Sequence, residues 1–116
     1  MFEHTEFGTV VYNRKAYHTD IYVHPSGAVE IRKKELSRVV HGTSHKVVAA
    51  EIEILLKEDP DYIIIGTGQN GALHLTAEAR EVLEEKGVFY KELTTPRAIK
   101  EFNRSWNCAI LVHITC

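Results

Sequence analysis

The stretch Asp61-Tyr-Ile-Ile-Ile-Gly-Thr-Gly-Gln-Asn-Gly71 sets how the rest of the chain is read. Four apolar residues, Tyr62 to Ile65, run without alternation into a glycine. That pattern fits a strand buried on both faces, as in a parallel sheet covered by helices. Gly66 to Gly71 also spells G-x-G-x-x-G, the dinucleotide pattern. A true fingerprint opens a helix directly, so that its first N–H groups meet the pyrophosphate. Here the next well-signalled helix starts at Thr76, and an earlier start would bury the weak formers Asn70, Gly71 and Thr76 inside it. The acidic partner is represented only by Glu92, and the chain holds one β-α-β-α-β half where a dinucleotide needs two. Gly66 and Gly68 therefore read as a sharp turn and Asn70-Gly71 as a turn pair. No cofactor is expected.

Downstream, Thr76 to Lys86 has a cap, an acidic first turn and Gly87 just beyond its end, with Ala79, Val82 and Leu83 inward. A strand follows in "VFYKEL". "TTPRAIKEFN" then reads as a short helix capped by Thr95, with Pro96 at its first position and Ile99 and Phe102 inward. The closing "CAILVHITC" is apolar on both faces and belongs in the middle of a sheet. Upstream, Val48, Ile52 and Leu55 recur at helical spacing, which predicts a helix capped by Ser44 and stopped at Asp59-Pro60. The first third predicts three antiparallel strands near 7–12, 20–24 and 28–32. The order β-β-β-α-β-α-β-α-β makes this an α/β domain with a mixed sheet and a β-rich amino-terminal addition.

A length of 116 residues fits one domain spanning 1–116. A formal net charge of -2 supplies no field suited to nucleic acid or to an anionic membrane. Arg32, Lys33, Lys34 and Arg38 form the densest basic cluster, read as a solvated strand end and loop because Glu30 and Glu35 interrupt it. No apolar run reaches the ~20 residues of a membrane span, and "MFEHTEFGTV" lacks signal-peptide features, so the cytoplasm is expected. Cys108 and Cys116, about 26 Å apart if one strand holds both, are too far apart to pair within it.

Four clusters carry a resemblance: Tyr17-x-x-Asp20, Ile65-Gly66-Thr67-Gly68, Thr95-x-x-Ala98 leading to Phe102-Asn103, and His113-Ile114-Thr115-Cys116. With them, nearly the whole chain resembles the Mth-type domain family, which includes adipogenesis-associated Mth-domain proteins and relatives of a complex I assembly factor; the ending resembles its compact prokaryotic branch. The resemblance implies a three-layer α/β fold with a mixed sheet, no defined reaction, and a role in assembly or regulation. "IRKKELSR" departs from the eukaryotic pattern, which usually carries a tryptophan after the third strand.

Ligands of open α/β sheets bind beyond the carboxyl ends of parallel strands. The candidate edge is therefore Gly66, Thr67, Gly68, Gln69 and Asn70, met by Thr94, Thr95 and Arg97, with His74 placed to act as acid or base. Free N–H groups, threonine hydroxyls and Arg97 suit a small anion; alternatively the threonines are only helix caps. His41/His45 and His113/Cys116 lack the placement of metal ligands, and no metal is expected. Cys108 reads as an inert core thiol, and Glu51/Glu53 and Glu84/Glu85 as solvated charge. No residue is assigned to catalysis. The first expectation is a non-catalytic module that contacts other proteins, including copies of itself. The alternative is a small-anion-binding protein or enzyme at the glycine-loop edge.

Overall fold

The computed structural model describes residues 1–116. Its elements are β1 (Phe2–Glu6), β2 (Thr9–Tyr12), β3 (Lys15–Tyr17), β4 (Ile21–Val23), β5 (Val29–Ile31), α1 (Glu35–His41), β6 (Lys46–Val47), α2 (Ala49–Leu55), β7 (Tyr62–Gly66), β8 (His74–Leu75), α3 (Ala77–Lys86), β9 (Phe89–Leu93), α4 (Thr95–Asn103) and β10 (Cys108–Val112). A five-stranded mixed sheet runs β5-β4-β10-β7-β9, with β10, β7 and β9 parallel and β4 antiparallel to both of its neighbours, β10 and β5.

The sheet separates two apolar layers, and strand alternation sorts the residues between them. Ile63, Ile65, Ala109, Leu111 and Tyr22 face one side, under Ile52 and Leu55 of α2 and Ala79 and Leu83 of α3. Ile64, Ile110, Val112, Ile21 and Val23 face the other, under Ala98 and Ile99 of α4 and Phe2, Val10 and Tyr12 of the β1–β2 hairpin. Because β7 and β10 are buried on both faces, they show continuous apolar runs, as expected from "YIII" and "CAILV". Thr76 caps α3 through Ala79 N–H, as expected.

The amino-terminal third holds five strands rather than three. In β1 only Phe2 is fully buried, so the strand carries one core residue among polar ones and shows no apolar alternation. The expected helix start at Ser44 is overturned: Lys46–Val47 is extended because it pairs with His74–Leu75. The helix begins instead at Ala49, where the Glu51 carboxylate accepts the Val48 N–H at 3.3 Å. "IRKKELSR" runs from the last residue of β5 into the first turn of α1, whose Val39 and Val40 are exposed, so no inward stripe marks it as helical. Thr95 is not the cap of α4; that position falls to Thr94.

Asn103 fastens the β1–β3 meander to the second layer. Its amide donates to Phe2 O at 2.7 Å and its carbonyl accepts Phe2 N–H at 2.8 Å, while Phe2 packs edge-on against Phe102. We expect Asn103→Ala to cost about 1–3 kcal/mol, because it strands both main-chain groups. Amide hydrogen exchange should quicken in β1 and β2 well before β7 and β10; uniform quickening would refute this anchoring role.

Candidate functional site

Three carboxyl ends meet at one rim of the sheet: those of β7, β9 and β10. β7 lies between the other two, so its glycine loop touches both neighbouring chain ends. Gly66 packs where a Cβ would lie 3.1 Å from Leu111 O. Thr67 donates its N–H and its hydroxyl to Leu93 O, at 2.8 and 3.0 Å. The Thr95 hydroxyl donates to His113 O at 2.6 Å and accepts the Gly68 N–H at 3.0 Å. Its hydroxyl therefore ties the loop to β10, which explains why it does not cap α4.

The space left for an anion holds the chain itself. Gln69 N–H donates to Thr115 O at 2.7 Å, and Asn70 and Ala72 N–H both donate to Cys116 O, at 3.0 and 3.1 Å. Gly68 has φ +103°, and a Cβ there would lie 2.4 Å from Cys116 C and 2.9 Å from His113 Cδ2. Glycine is needed at Gly68 both for its backbone conformation and for this close approach. No cavity of the molecule is lined by Gly66, Thr67, Gly68, Gln69 or Asn70.

The remaining candidates are dispersed. Thr94 stays beside the loop, its methyl 3.8 Å from where a Gly71 Cβ would lie. His74 is drawn into β8, where its N–H donates to His45 O at 3.1 Å. Arg97 is exposed on α4 and lines a separate cleft with Lys91, Leu93 and Lys100. The histidines do not gather with other ligands into a set that could hold a metal ion.

Next to the loop lies a buried charged network that the sequence reading missed. Arg32 donates from Nε to Glu51 at 2.7 Å and from its two terminal nitrogens to Asp20 at 2.9 Å, Glu51 at 3.2 Å, Ser44 O at 2.8 Å and Lys46 O at 3.0 Å. All three charged side chains are buried. The reading of Arg32 as part of a solvated basic loop is overturned, as is that of Glu51 as solvated helix charge. Their partners lie far along the chain, so no local pattern announced them; alternation in "AVEIR" sets Arg32 on the polar face with Glu30, opposite Val29 and Ile31.

Asp20 continues the network. Its Oδ2 lies 2.7 Å from His113 Nδ1, and its Oδ1 accepts the Ile114 N–H at 3.0 Å. Burial pushes its pKa up, but the His113 hydrogen bond and charge, the Ile114 N–H and Arg32 outweigh it and hold the carboxyl below its ordinary value. Burial lowers the Arg32 pKa, yet the bonds and charges of Glu51 and Asp20 leave it raised. The Tyr22 hydroxyl donates to Glu51 at 2.8 Å; burial first, then the charge of Glu51, raise its pKa. His113 Nε2 lies 3.3 Å from the Thr115 hydroxyl, and the exposed His45 ring packs edge-on over it.

Asp20, His113 and Thr115 thus stand in the order carboxylate, imidazole, hydroxyl that nucleophilic catalysis uses. Here Asp20 is shared with Arg32 and with a main-chain N–H, and no cavity opens at Thr115. Burial raises the Cys108 pKa to about 12, with Glu101 adding to the shift, so its thiol is a core group rather than a nucleophile.

Fold and site together define a compact α/β domain of the Mth938-like type. The chain belongs to the family described as "Protein of unknown function (DUF498/DUF598)", which matches residues 2–107. It is 37% identical to the conserved hypothetical protein PH1505 from Pyrococcus horikoshii OT3, covering 100% of this chain and 99% of that one, with a TM-score of 0.93. To the protein MT938 it is 38% identical, over 100% and 98% of the two chains, with a TM-score of 0.87. A Mth938-like domain protein from Bordetella pertussis shares the fold at 13% identity and a TM-score of 0.63, over 97% and 84% of the two chains.

Two outcomes follow from this geometry. Asp20→Asn should cost about 3–5 kcal/mol at neutral pH, because it leaves Arg32 buried with half its counter-charge. The Asp20 pKa is lower folded than unfolded (about 3.9), so its contribution is complete above that value and disappears as pH falls through the folded one. Urea midpoints of parent and variant should therefore converge below about pH 4; a constant gap would contradict the ion-pair account. Gly68→Ala must displace Thr115–Cys116 or distort the loop, and should cost more than about 2 kcal/mol. A neutral result would mean that the close packing at Gly68 is unimportant.

Proposed function

We propose that this chain is a non-catalytic interaction or assembly module working in the cytoplasm. One surface feature supports the reading best. α1 lies beside the starts of α2 and α3, and together they border a groove of about 610 Å³ floored by Leu36, Val48, Ala49 and Ala50. Val39 and Val40 line it while remaining 84% and 67% exposed. Side chains of this kind cost solubility when left in water and contribute binding energy when a partner covers them. The best-formed polar constellation points the same way, being satisfied internally and sealed.

A second reading retains one observation. Two loop N–H groups, of Asn70 and Ala72, converge on a single oxygen of Cys116, as donors converge on a bound anion. A small anion would have to displace that oxygen, so thermal-shift screening with phosphates and carboxylates tests it directly; no stabilising compound would end it.

The interaction reading is tested with Val39→Glu and Val40→Glu combined. Surface changes of this kind should alter stability by no more than about 0.5 kcal/mol each. Sedimentation and pulldown from native extract should recover self-association or a reproducible partner with the parent chain and lose it with the variant. Recovery unchanged by the variant would move the interface elsewhere, and a strictly monomeric, partnerless parent would refute the proposal.

A further inference from the structure

β9 is the last strand of the five-stranded sheet, paired on one side only. Phe89 N–H donates to Asp61 O, and Leu93 O accepts from Thr67 N–H, so the odd-numbered residues turn their main-chain groups toward β7. By strand alternation, Tyr90 and Glu92 turn theirs outward, and neither has a main-chain partner there. The edge is flanked by a cleft of about 240 Å³ lined by Lys91, Leu93, Arg97, Lys100, Glu101 and Arg104. Four of these six side chains are cationic, in a chain whose formal net charge is -2.

The single carboxylate does not neutralise them. Glu101 is engaged by Arg104 at 2.9 Å and by the Tyr62 hydroxyl at 3.1 Å, with Lys91 at 3.9 Å. Arg97 and Lys100 have no acidic partner. A lysine on an edge strand is a common guard against aggregation, and Lys91 alone would need no further explanation. Unpaired cations on a neighbouring helix, lining a cleft along that same edge, go beyond what such guarding requires. Phe89, on the same strand face as Lys91 and 62% exposed, adds an apolar contact at one end.

We propose that this edge receives an extended acidic segment of a partner protein, added to β9 as a sixth strand, with its carboxylates over Arg97 and Lys100. Main-chain pairing with Tyr90 and Glu92 supplies affinity, and the cleft supplies selection by charge. A second copy of this chain is the poorer occupant. Antiparallel pairing of β9 with itself would bring the two Lys91 side chains, and both sets of α4 cations, toward each other. This proposal deepens the interaction reading and rests on it.

The test is titration of the isotope-labelled chain with a peptide of about eight residues alternating Glu and Val, long enough for one strand. Tyr90 and Glu92 amides should shift and become protected from solvent exchange. Lys100→Glu should weaken binding by roughly tenfold or more. N-methylation of alternate peptide residues, which removes the main-chain donors, should abolish it, and raising salt should weaken it. Equal binding by a Lys/Val peptide, or full binding by the N-methylated one, would overturn the proposal. So would shifts confined to Arg97 and Lys100 that inorganic phosphate alone reproduces, or protection that arises from dimerisation without peptide. The Val39→Glu, Val40→Glu variant should bind the peptide unchanged. Failure at β9 therefore leaves the α1 groove reading standing, and the two failures are told apart by which variant loses binding.

Discussion

One guanidinium organises this molecule. Arg32 places five hydrogen bonds on two carboxylates and two main-chain carbonyls, all in the interior. Those acceptors belong to the approach to β4, the segment entering β6 and the first turn of α2. Through Asp20 the same network reaches His113 and Ile114 at the end of β10. A buried ion cluster contributes little net stability compared with a well-packed apolar one, because desolvation offsets the attraction. Its effect is on uniqueness: any register that moves α2 or β10 leaves a bare charge inside the protein, at a cost of several kcal/mol. Apolar packing holds the layers together, while Arg32 fixes which arrangement they adopt.

The readable parts of this fold were those whose environment is written locally. β7 and β10 were legible because burial on both faces makes a strand continuously apolar. α3 was legible because its cap, its acidic first turn and its closing glycine lie within a dozen residues. β1, β6 and α1 lack such marks. β1 contributes one fully buried residue, Phe2; β6 is two residues held by a partner 28 positions on; α1 exposes Val39 and Val40. Arg32 and Glu51 were misread for a related reason. Charged residues are rarely buried unless paired, and the pairing spans 12 residues to Asp20 and 19 to Glu51. No window short enough to show periodicity spans the network from Asp20 to Glu51.

The glycine loop illustrates how a motif and its use come apart. Its main chain does present converging N–H groups, as the pattern suggests. They are directed at Thr115 and Cys116 rather than at a ligand. The order β10-β7-β9 explains this: the end of β10 emerges beside the loop, closer than any diffusing anion, and covalently tethered to the sheet. The sequence reading set the two loops at this edge but took "HITC" as the end of a strand and a mark of resemblance, without setting it beside the loop. Knowing that β10 pairs with β7 would have filled the space on paper.

The four clusters that carried the family resemblance prove to be physically joined. Gly68 N–H donates to Thr95; Thr95 donates to the His113 carbonyl; the His113 ring meets Asp20; and Asp20 accepts from Arg32, which is bound to Glu51. Asn103, in the third cluster, holds Phe2 at the opposite side of the second layer. Residues that look like a scattered active site are thus successive contacts through one interior, each satisfying the next. Such a chain specifies how β4, β7, β10, α2 and α4 meet, and it holds Asp20, Arg32, Glu51 and His113 buried. A match to these clusters is therefore information about the fold. Differences in function among chains of this type should then be sought on the surfaces the network leaves alone, above all α1 and the open edge of β9.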